Sequence, residues 1–177
     1  MASFLPVSAK FLFTVSLRSP CIFDSMFFYF VLKGPQVHQG YYQNEEANKD
    51  AFDEDGWFRT GDVVYFDESG DIFIVDRIKD MIKVKGYQVS PTEVEEEIRK
   101  VPGVVDVAVI GIKDDLAGEV PKAFIVPASQ DITAEKINDF LSDKLAKYKK
   151  LAGGIVLVKE LPKSPTGKVL RKELRKM

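Results

Sequence analysis

One cysteine and one histidine are all that the 177 residues hold of either type. Cys21 alone closes no internal disulfide, and neither it nor His38 supplies the several thiolate or imidazole donors of a zinc site. Chemistry in this chain therefore rests on Lys, Arg, Asp and backbone groups. Long apolar runs are also scarce. The longest, Met26 to Leu32, is a third of the roughly 20 residues a spanning helix needs, so no membrane span is expected. An excess of one charge is missing too: 25 Lys plus Arg stand against 27 Asp plus Glu, for a net charge of −2. That balance offers nucleic acid no general electrostatic attraction.

What is there is globular in kind. At 45% hydrophobic and 29% charged residues, the chain can bury a core as one domain or as a small domain with an appendage. Its distribution is uneven. The first 32 residues hold 7 of the 13 phenylalanines and only three charges, Lys10, Arg18 and Asp24. Phe11 to Leu17 resembles the apolar part of a secretory signal, but it has one preceding lysine and no A-x-A cleavage site. Without clean periodicity, residues 1–32 are expected to be an apolar N-terminal segment with no fold of its own, an alternative beginning of a longer protein. Farther on, Glu45 to Asp62 balances at −5 and Lys163 to Met177 at +5, ends that could attract one another or separate partners.

Asp50 to Gly61 reads as an acidic loop. Val63–Phe66 and Asp71–Val75 flank Asp67-Glu68-Ser69-Gly70 and predict a hairpin. The charged stretch Asp76 to Asp80 then suggests a boundary, before a short strand from Met81 to Lys85. Ser90-Pro91-Thr92-Glu93 is a capping box with proline at the first helical position, so a helix begins there. Val94, Ile98 and Val101 lie on one face of it, and the glutamates Glu95 to Glu97 are expected in solvent. Strands are expected at Val105–Val109 and Lys122–Val126, as an antiparallel pair around a loop from Lys113 to Val120. A second amphipathic helix is expected over 133–148, then a strand at Ile155–Val158, a loop from Leu161 to Lys168 and a short basic helix. The fold class is thus α+β: a two-layer small domain of strand-helix-strand-strand-helix-strand order, preceded by a β-hairpin.

Three stretches could carry chemistry. Ser164-Pro165-Thr166-Gly167-Lys168 presents one lysine from a Pro/Gly-punctuated loop. It is not a Walker loop, because Pro162 and Val169 stand where glycine and a hydroxyl residue are required. A reaching lysine suits charge growing on a phosphate and an attacking carboxylate, although the same letters also make an ordinary turn. Gly56-Trp57-Phe58-Arg59-Thr60-Gly61-Asp62 places a carboxylate where it could accept two hydrogen bonds from a ribose. Asp76 to Tyr87 offers Arg77 for that sugar, Lys83 and Lys85 on one strand face, and Gly86, whose missing side chain lets a ligand approach the backbone. Taken singly, these read equally well as a solvated turn, a charged linker and an exposed edge strand.

Taken together they are more specific. In order and spacing, Gly34-Pro35-Gln36-Val37, Gly40-Tyr41-Tyr42, Gly56 to Asp62, Asp76 to Tyr87, Ser90 to Glu95, Gly118-Glu119-Val120-Pro121-Lys122-Ala123 and Pro162 to Lys168 resemble the adenylate-forming acyl-CoA synthetase superfamily, in the style of 4-coumarate:CoA ligases and beetle luciferases. The resemblance covers about Lys33 to Met177. It implies that residues 33–78 are the β-rich end of a large domain and 79–177 the C-terminal lid domain. It implies ATP, Mg²⁺ and CoA as reactants and cofactors, with a carboxylic acid activated as its acyl-adenylate and then passed to the CoA thiol. By the same resemblance Asp62 and Arg77 bind the adenylate ribose, and Lys79 is the hinge about which the lid rotates. Lys168 orients carboxylate and α-phosphate in the first half-reaction. Lys83 serves the second, and Lys85 and Gly86 border the CoA arm.

The sequence departs from that pattern in holding neither the Ser/Thr/Gly-rich phosphate loop nor the aromatic-Gly-x-Thr-Glu segment that contacts AMP and Mg²⁺. No metal ligands are therefore assigned, and the 177 residues alone are expected to be inactive. The rival from another class is an interaction module that binds another protein, such as a full-length relative. An RNA-recognition fold shares the element order but lacks the paired aromatics. Arg175-Lys176-Met177 keeps only the central lysine of a peroxisomal S-K-L signal, so cytosol is expected first and peroxisome second.

Overall fold

The computed structural model describes residues 14–18 and 28–177, grouped in two compact units, up to Lys79 and from Asp80 to Met177. Cys21 and the start of the Phe11 run lie outside the described residues.

The first unit is an antiparallel sheet in the order β1-β2-β3-β4, of Thr14–Arg18, Phe28–Lys33, Phe58–Phe66 and Ile72–Arg77. The expectation that residues 1–32 lack a fold therefore fails where the chain is described. The Phe-rich letters show no period of their own, yet β2 finds its register against β3, with Val31 opposite Arg59 and Leu32 opposite Phe58. The same pairing corrects the acidic loop, since Phe58 to Gly61 belong to β3, as does Asp62. Upstream, Glu45–Ala51 is a short helix, α1, capped by the Asn44 side chain, which accepts from the Ala47 N–H. Glu45 and Glu46 stand in its first turn, where the partial positive charge of the helix end favours carboxylates. The predicted turn at Asp67 holds: the Asp67 carboxylate accepts from the amides of Ser69 and Asp71.

The second unit is the mixed α+β domain expected, with one more strand. β5 (Ile82–Val84) turns through Lys85 and Gly86 into the unforeseen β6 (Tyr87–Val89). Both turn residues have positive φ, 49° and 86°, as a two-residue hairpin of the primed type requires. Helix α2 (Pro91–Arg99) starts as read, with Ser90 Oγ accepting from the Glu93 N–H at 3.2 Å. The long strands β7 (Val104–Asp114) and β8 (Gly118–Pro127) pair antiparallel as expected. They also absorb most of the anticipated loop, leaving only Asp115 to Ala117 at the tip. A register shift between Val104 and Asp106 turns Val105 outward to 66% exposure, against the expected alternation.

The second helix is shorter than its apolar spacing predicts. α3 covers Ala134–Leu141, and Lys147–Lys149 form a separate 3-10 turn. Ser142 Oγ bonds the Asp139 carbonyl at 2.8 Å, the local competition by which serine ends helices, while Leu145 stays buried in the core. β9 (Ile155–Leu157) runs parallel to β8 beside Ala123–Ile125, and β5 meets the same strand at Gly118.

Both faces of β7 and β8 are covered. Val107, Val109, Ala123 and Ile125 pack with Val94, Ile98, Ile137 and Leu141 from the helices. The alternating Ala108, Ile110 and Phe124 pack with Leu161 and Leu174 from the C-terminal segment, whose last element is helix α4 (Arg171–Leu174). The loop bearing Lys168 thus joins two residues anchored in that second core.

Candidate functional site

Strand pairing sets the geometry in the first unit. Asp62 on β3 and Arg77 on β4 are direct cross-strand partners, with Arg77 Nε 3.5 Å from Asp62 Oδ1. Thr60 orders the approach: its hydroxyl donates to the Phe30 carbonyl and accepts from the Asp62 N–H. The strand pair closes just beyond, where the Ile78 N–H donates to the Gly61 carbonyl, and Lys79 follows in the turn that ends this unit. Arg77 is 63% exposed and Asp62 20% in their side chains. The pair therefore offers an aimed carboxylate and a reachable guanidinium to one ligand.

In the second unit, alternation along β5 buries Ile82 and Val84 and leaves Lys83 exposed on the opposite face, with Lys85 exposed in the turn that follows. At Gly86 a side chain would meet nothing within 4 Å, so the space over the turn is open. The hairpin is braced by the stacked rings of Tyr87 and Tyr148, with centroids 4.5 Å apart. Lys83, Lys85 and Gly86 are thus gathered on one short hairpin.

Lys168 lies in a separate loop. The Ser164 N–H donates to the Lys168 carbonyl at 2.8 Å, and Ser164 Oγ accepts from the Lys168 N–H at 3.1 Å. Lys163 pairs with Val169, Gly167 holds a φ of 82°, and the Leu170 N–H closes the loop onto the Pro162 carbonyl. This is a fixed turn with its lysine at the exposed end. Among the described residues, Lys83, Lys85 and Lys168 have no ion-pair partner. Exposed ammonium groups without an ion-pair partner suit anionic ligands.

The C-terminal segment is tied to the edge strand β7. Lys163 Nζ lies 2.6 Å from Asp106 Oδ2. Burial alone would raise the Asp106 carboxyl, but the Lys163 ammonium and the Val107 N–H outweigh it and hold the group below the usual aspartate range. Arg171 Nη2 lies 3.0 Å from Glu95 Oε1, and its Nη1 3.7 Å from Asp80. Glu95 corrects the reading of a wholly solvated glutamate run. It is 5% exposed, and it also accepts from the Val109 N–H, an outward-facing amide of the edge strand. Periodicity placed Glu95 opposite the apolar face and could not show that an open sheet edge would meet it.

Among the described residues no three His, Cys, Asp or Glu side chains converge as a metal group, and no helix is long and apolar enough to cross a membrane.

Residues 93–168 match the family model of the AMP-binding enzyme C-terminal domain. Over 145 residues, 81% of this chain, it is 45% identical to 4-coumarate-CoA ligase 2 of Narcissus pseudonarcissus. By these matches the chain is similar to the C-terminal portion of the adenylate-forming acyl-CoA synthetases. A second synthetase relative is the peroxisomal OPC-8:0-CoA ligase 1 of Arabidopsis thaliana, 44% identical over 147 residues. The chain spans about a quarter of the length of these curated relatives, 25% of the first and 27% of the second. Among solved structures, ATP-bound MatB from Rhodopseudomonas palustris aligns with 93% of this chain and 33% of its own, at 32% identity and a TM-score of 0.83. MenE of Bacillus subtilis, in complex with the acyl-adenylate OSB-AMP, gives 31% identity and 0.81, again over 93% of this chain. Structural likeness thus covers more of the chain, 93%, than the sequence match does, 81%.

Proposed function

We infer that this chain supplies the lid and hinge of an ATP-dependent acid–thiol ligase, with residues 33–78 closing a large domain and 79–177 forming the lid. The observation that carries the reading is the presentation of two lysines without ion-pair partners, Lys83 from a strand of the β5–β6 hairpin and Lys168 from a separately braced loop of the same small domain. Each half-reaction needs a different preorganised cation beside the same adenylate. A domain that rotates about Lys79 can exchange one lysine for the other.

In the first half-reaction the acid's carboxylate attacks the α-phosphorus of ATP and pyrophosphate leaves. Lys168 orients the two anions and offsets the charge that grows between them. Asp62 accepts hydrogen bonds from the vicinal ribose hydroxyls, and Arg77 holds the same sugar from the opposite strand. In the second, the CoA thiol attacks the acyl carbon and AMP leaves. Lys83 then stands near the leaving phosphate, while the open space over Lys85 and Gly86 admits the thiol-bearing arm. Among the described residues no three His, Cys, Asp or Glu side chains converge, and no step is assigned to Mg²⁺. The acid itself is a carboxylic acid, 4-coumarate being the one that the Narcissus relative's name carries. The compartment is cytosol, with peroxisome as the alternative that the Arabidopsis relative's name supports.

The 177-residue sequence holds no phosphate-cradling loop, so on its own it should not activate acids. The test is pyrophosphate exchange with a panel of carboxylic acids. The full chain is assayed alone and also fused behind the part of the Narcissus relative that it does not match. Exchange by the fusion that Lys168→Ala abolishes supports the reading. Exchange by the isolated chain above its own Lys168→Ala control, or none by the fusion, contradicts it.

A further inference from the structure

Strand β5 is only three residues long, and its outward edge is almost without a backbone partner. Within the β5–β6 hairpin, Val84 faces Tyr87 and Ile82 faces Val89, so the turn-closing alternation directs the Lys83 N–H away from β6. On that outer side β8 pairs with β5 at one position, Val84 with Gly118. Two amides, at Lys83 and Lys85, are left facing outward on either side of that contact.

The tip of the β7–β8 hairpin answers both. The Lys85 N–H donates to the Ala117 carbonyl at 2.8 Å, and the Lys83 N–H donates to Glu119 Oε2 at 2.9 Å. The tip is itself fixed, because the Asp114 carboxylate accepts from the amides of Leu116 and Ala117. Glu119 is held closely as well. A methyl group placed on Gly111 would come within 3.3 Å of the Glu119 carboxylate and 3.1 Å of Ile82 Cγ2. Gly111 thus clears the lane through which this carboxylate reaches β5.

We propose that Glu119 is the positioning residue for Lys83: its carboxylate, passing over Gly111, holds the Lys83 amide and so sets where the exposed lysine stands for the thioester-forming step. The inference rests on the functional reading for the step that Lys83 serves. The contact that positions it is a property of the fold alone. Nothing in the contact requires the charge of Glu119, since a carboxamide oxygen accepts the same bond. Lys168 sits in a different loop, braced by Ser164, so the effect is confined to one half-reaction.

The experiment has two arms, with wild type, Glu119→Ala, Glu119→Gln and, as an independent route, Gly111→Ala. The first arm follows amide hydrogen exchange in the full 177-residue chain. Lys83 should lose about tenfold of its protection in Glu119→Ala and in Gly111→Ala, and stay within about threefold of wild type in Glu119→Gln, as for one locally lost hydrogen bond. The second arm measures single turnovers in the fusion to the Narcissus relative's upstream part. Thioester formation from preformed acyl-adenylate should fall about tenfold in Glu119→Ala while adenylate formation stays within about threefold, and Glu119→Gln should restore the first. Unchanged exchange at Lys83 in both Glu119→Ala and Gly111→Ala overturns the positioning claim. So does an equal fall of both half-reactions, or a Glu119→Gln variant no better than alanine. A wild-type fusion that makes no adenylate overturns the functional reading instead, and the exchange arm still decides the contact.

Discussion

Arg171 places Nη2 3.0 Å from Oε1 of Glu95, joining the residue three places beyond Lys168 to a buried carboxylate of helix α2. The same guanidinium reaches Asp80, the first residue of the second unit, at 3.7 Å. Without Arg171, Glu95 keeps the longer contact to Arg99 at 3.5 Å and the Val109 N–H, so the loss is that of one charge-assisted bond in a buried place, whereas loosening the longer, part-exposed contact to Asp80 costs little. Arg171→Ala should therefore destabilise the second unit by about 2 kcal/mol, and Asp80→Asn by less than about 1 kcal/mol, read by urea denaturation with a probe in that unit. Equal effects would show that Arg99 and the Val109 N–H suffice for Glu95.

The Asp106–Lys163 pair gives an acid dependence with a definite sign. The Asp106 carboxyl is held below its ordinary value in the folded chain, so its contribution is present above the unfolded aspartate pKa of about 3.9 and disappears as pH falls through the lower folded value. Because both side chains are part-exposed, the contribution is about 0.5 kcal/mol. Asp106→Asn should flatten that part of the acid limb in the stability of the second unit between about pH 5 and pH 2. A variant with an unchanged acid limb would mean that the bond to Lys163 does not persist in solution.

Gly153 and Gly154 stand side by side but for different reasons. A methyl group on Gly153 would meet Ile112 Cδ1 at 2.9 Å and the Pro121 carbonyl at 3.0 Å, whereas Gly154 has open space and a φ of 87°. Gly153→Ala should cost about 2 kcal/mol through overpacking. Gly154→Ala should cost about 1 kcal/mol through left-handed strain alone, and Gly154→Asn should recover part of it. Urea midpoints of the four proteins test the distinction.

Ser164 braces the Lys168 loop by two bonds to that one residue. Ser164→Ala removes the side-chain bond and leaves the backbone bond in place. In the fusion it should lower adenylate formation by about tenfold or less and leave thioester formation from preformed adenylate within about threefold. A loss confined to the second half-reaction would assign the loop to the other step.

Much of this was readable from residues whose signals are local. The Ser90–Glu93 cap, the Asp67 turn and the Pro/Gly loop before Lys168 each depend on neighbours a few places away, and each stands where the letters put it. What the letters did not show depends on pairing across the fold. β6 is three residues of ordinary appearance made a strand by the Lys85–Gly86 turn. β3 extends back to Phe58 because β2 lies beside it. Glu95 and Glu119 look like surface glutamates until an unpaired strand amide is brought to each, at Val109 and at Lys83. Glu119 did lie in a stretch matched to the family, Gly118 to Ala123, but without a role, because the donor that gives it one is 36 residues upstream.

The central claim is that Lys168 and Lys83 serve different half-reactions of one ligase. The most direct measurement is a single-turnover assay of the fusion carrying Lys168→Ala or Lys83→Ala, started either from acid plus ATP or from preformed acyl-adenylate plus CoA. The account predicts that Lys168→Ala loses adenylate formation by about a hundredfold or more yet still makes thioester from the preformed adenylate, and that Lys83→Ala does the reverse. Parallel losses in both steps for both variants would contradict it.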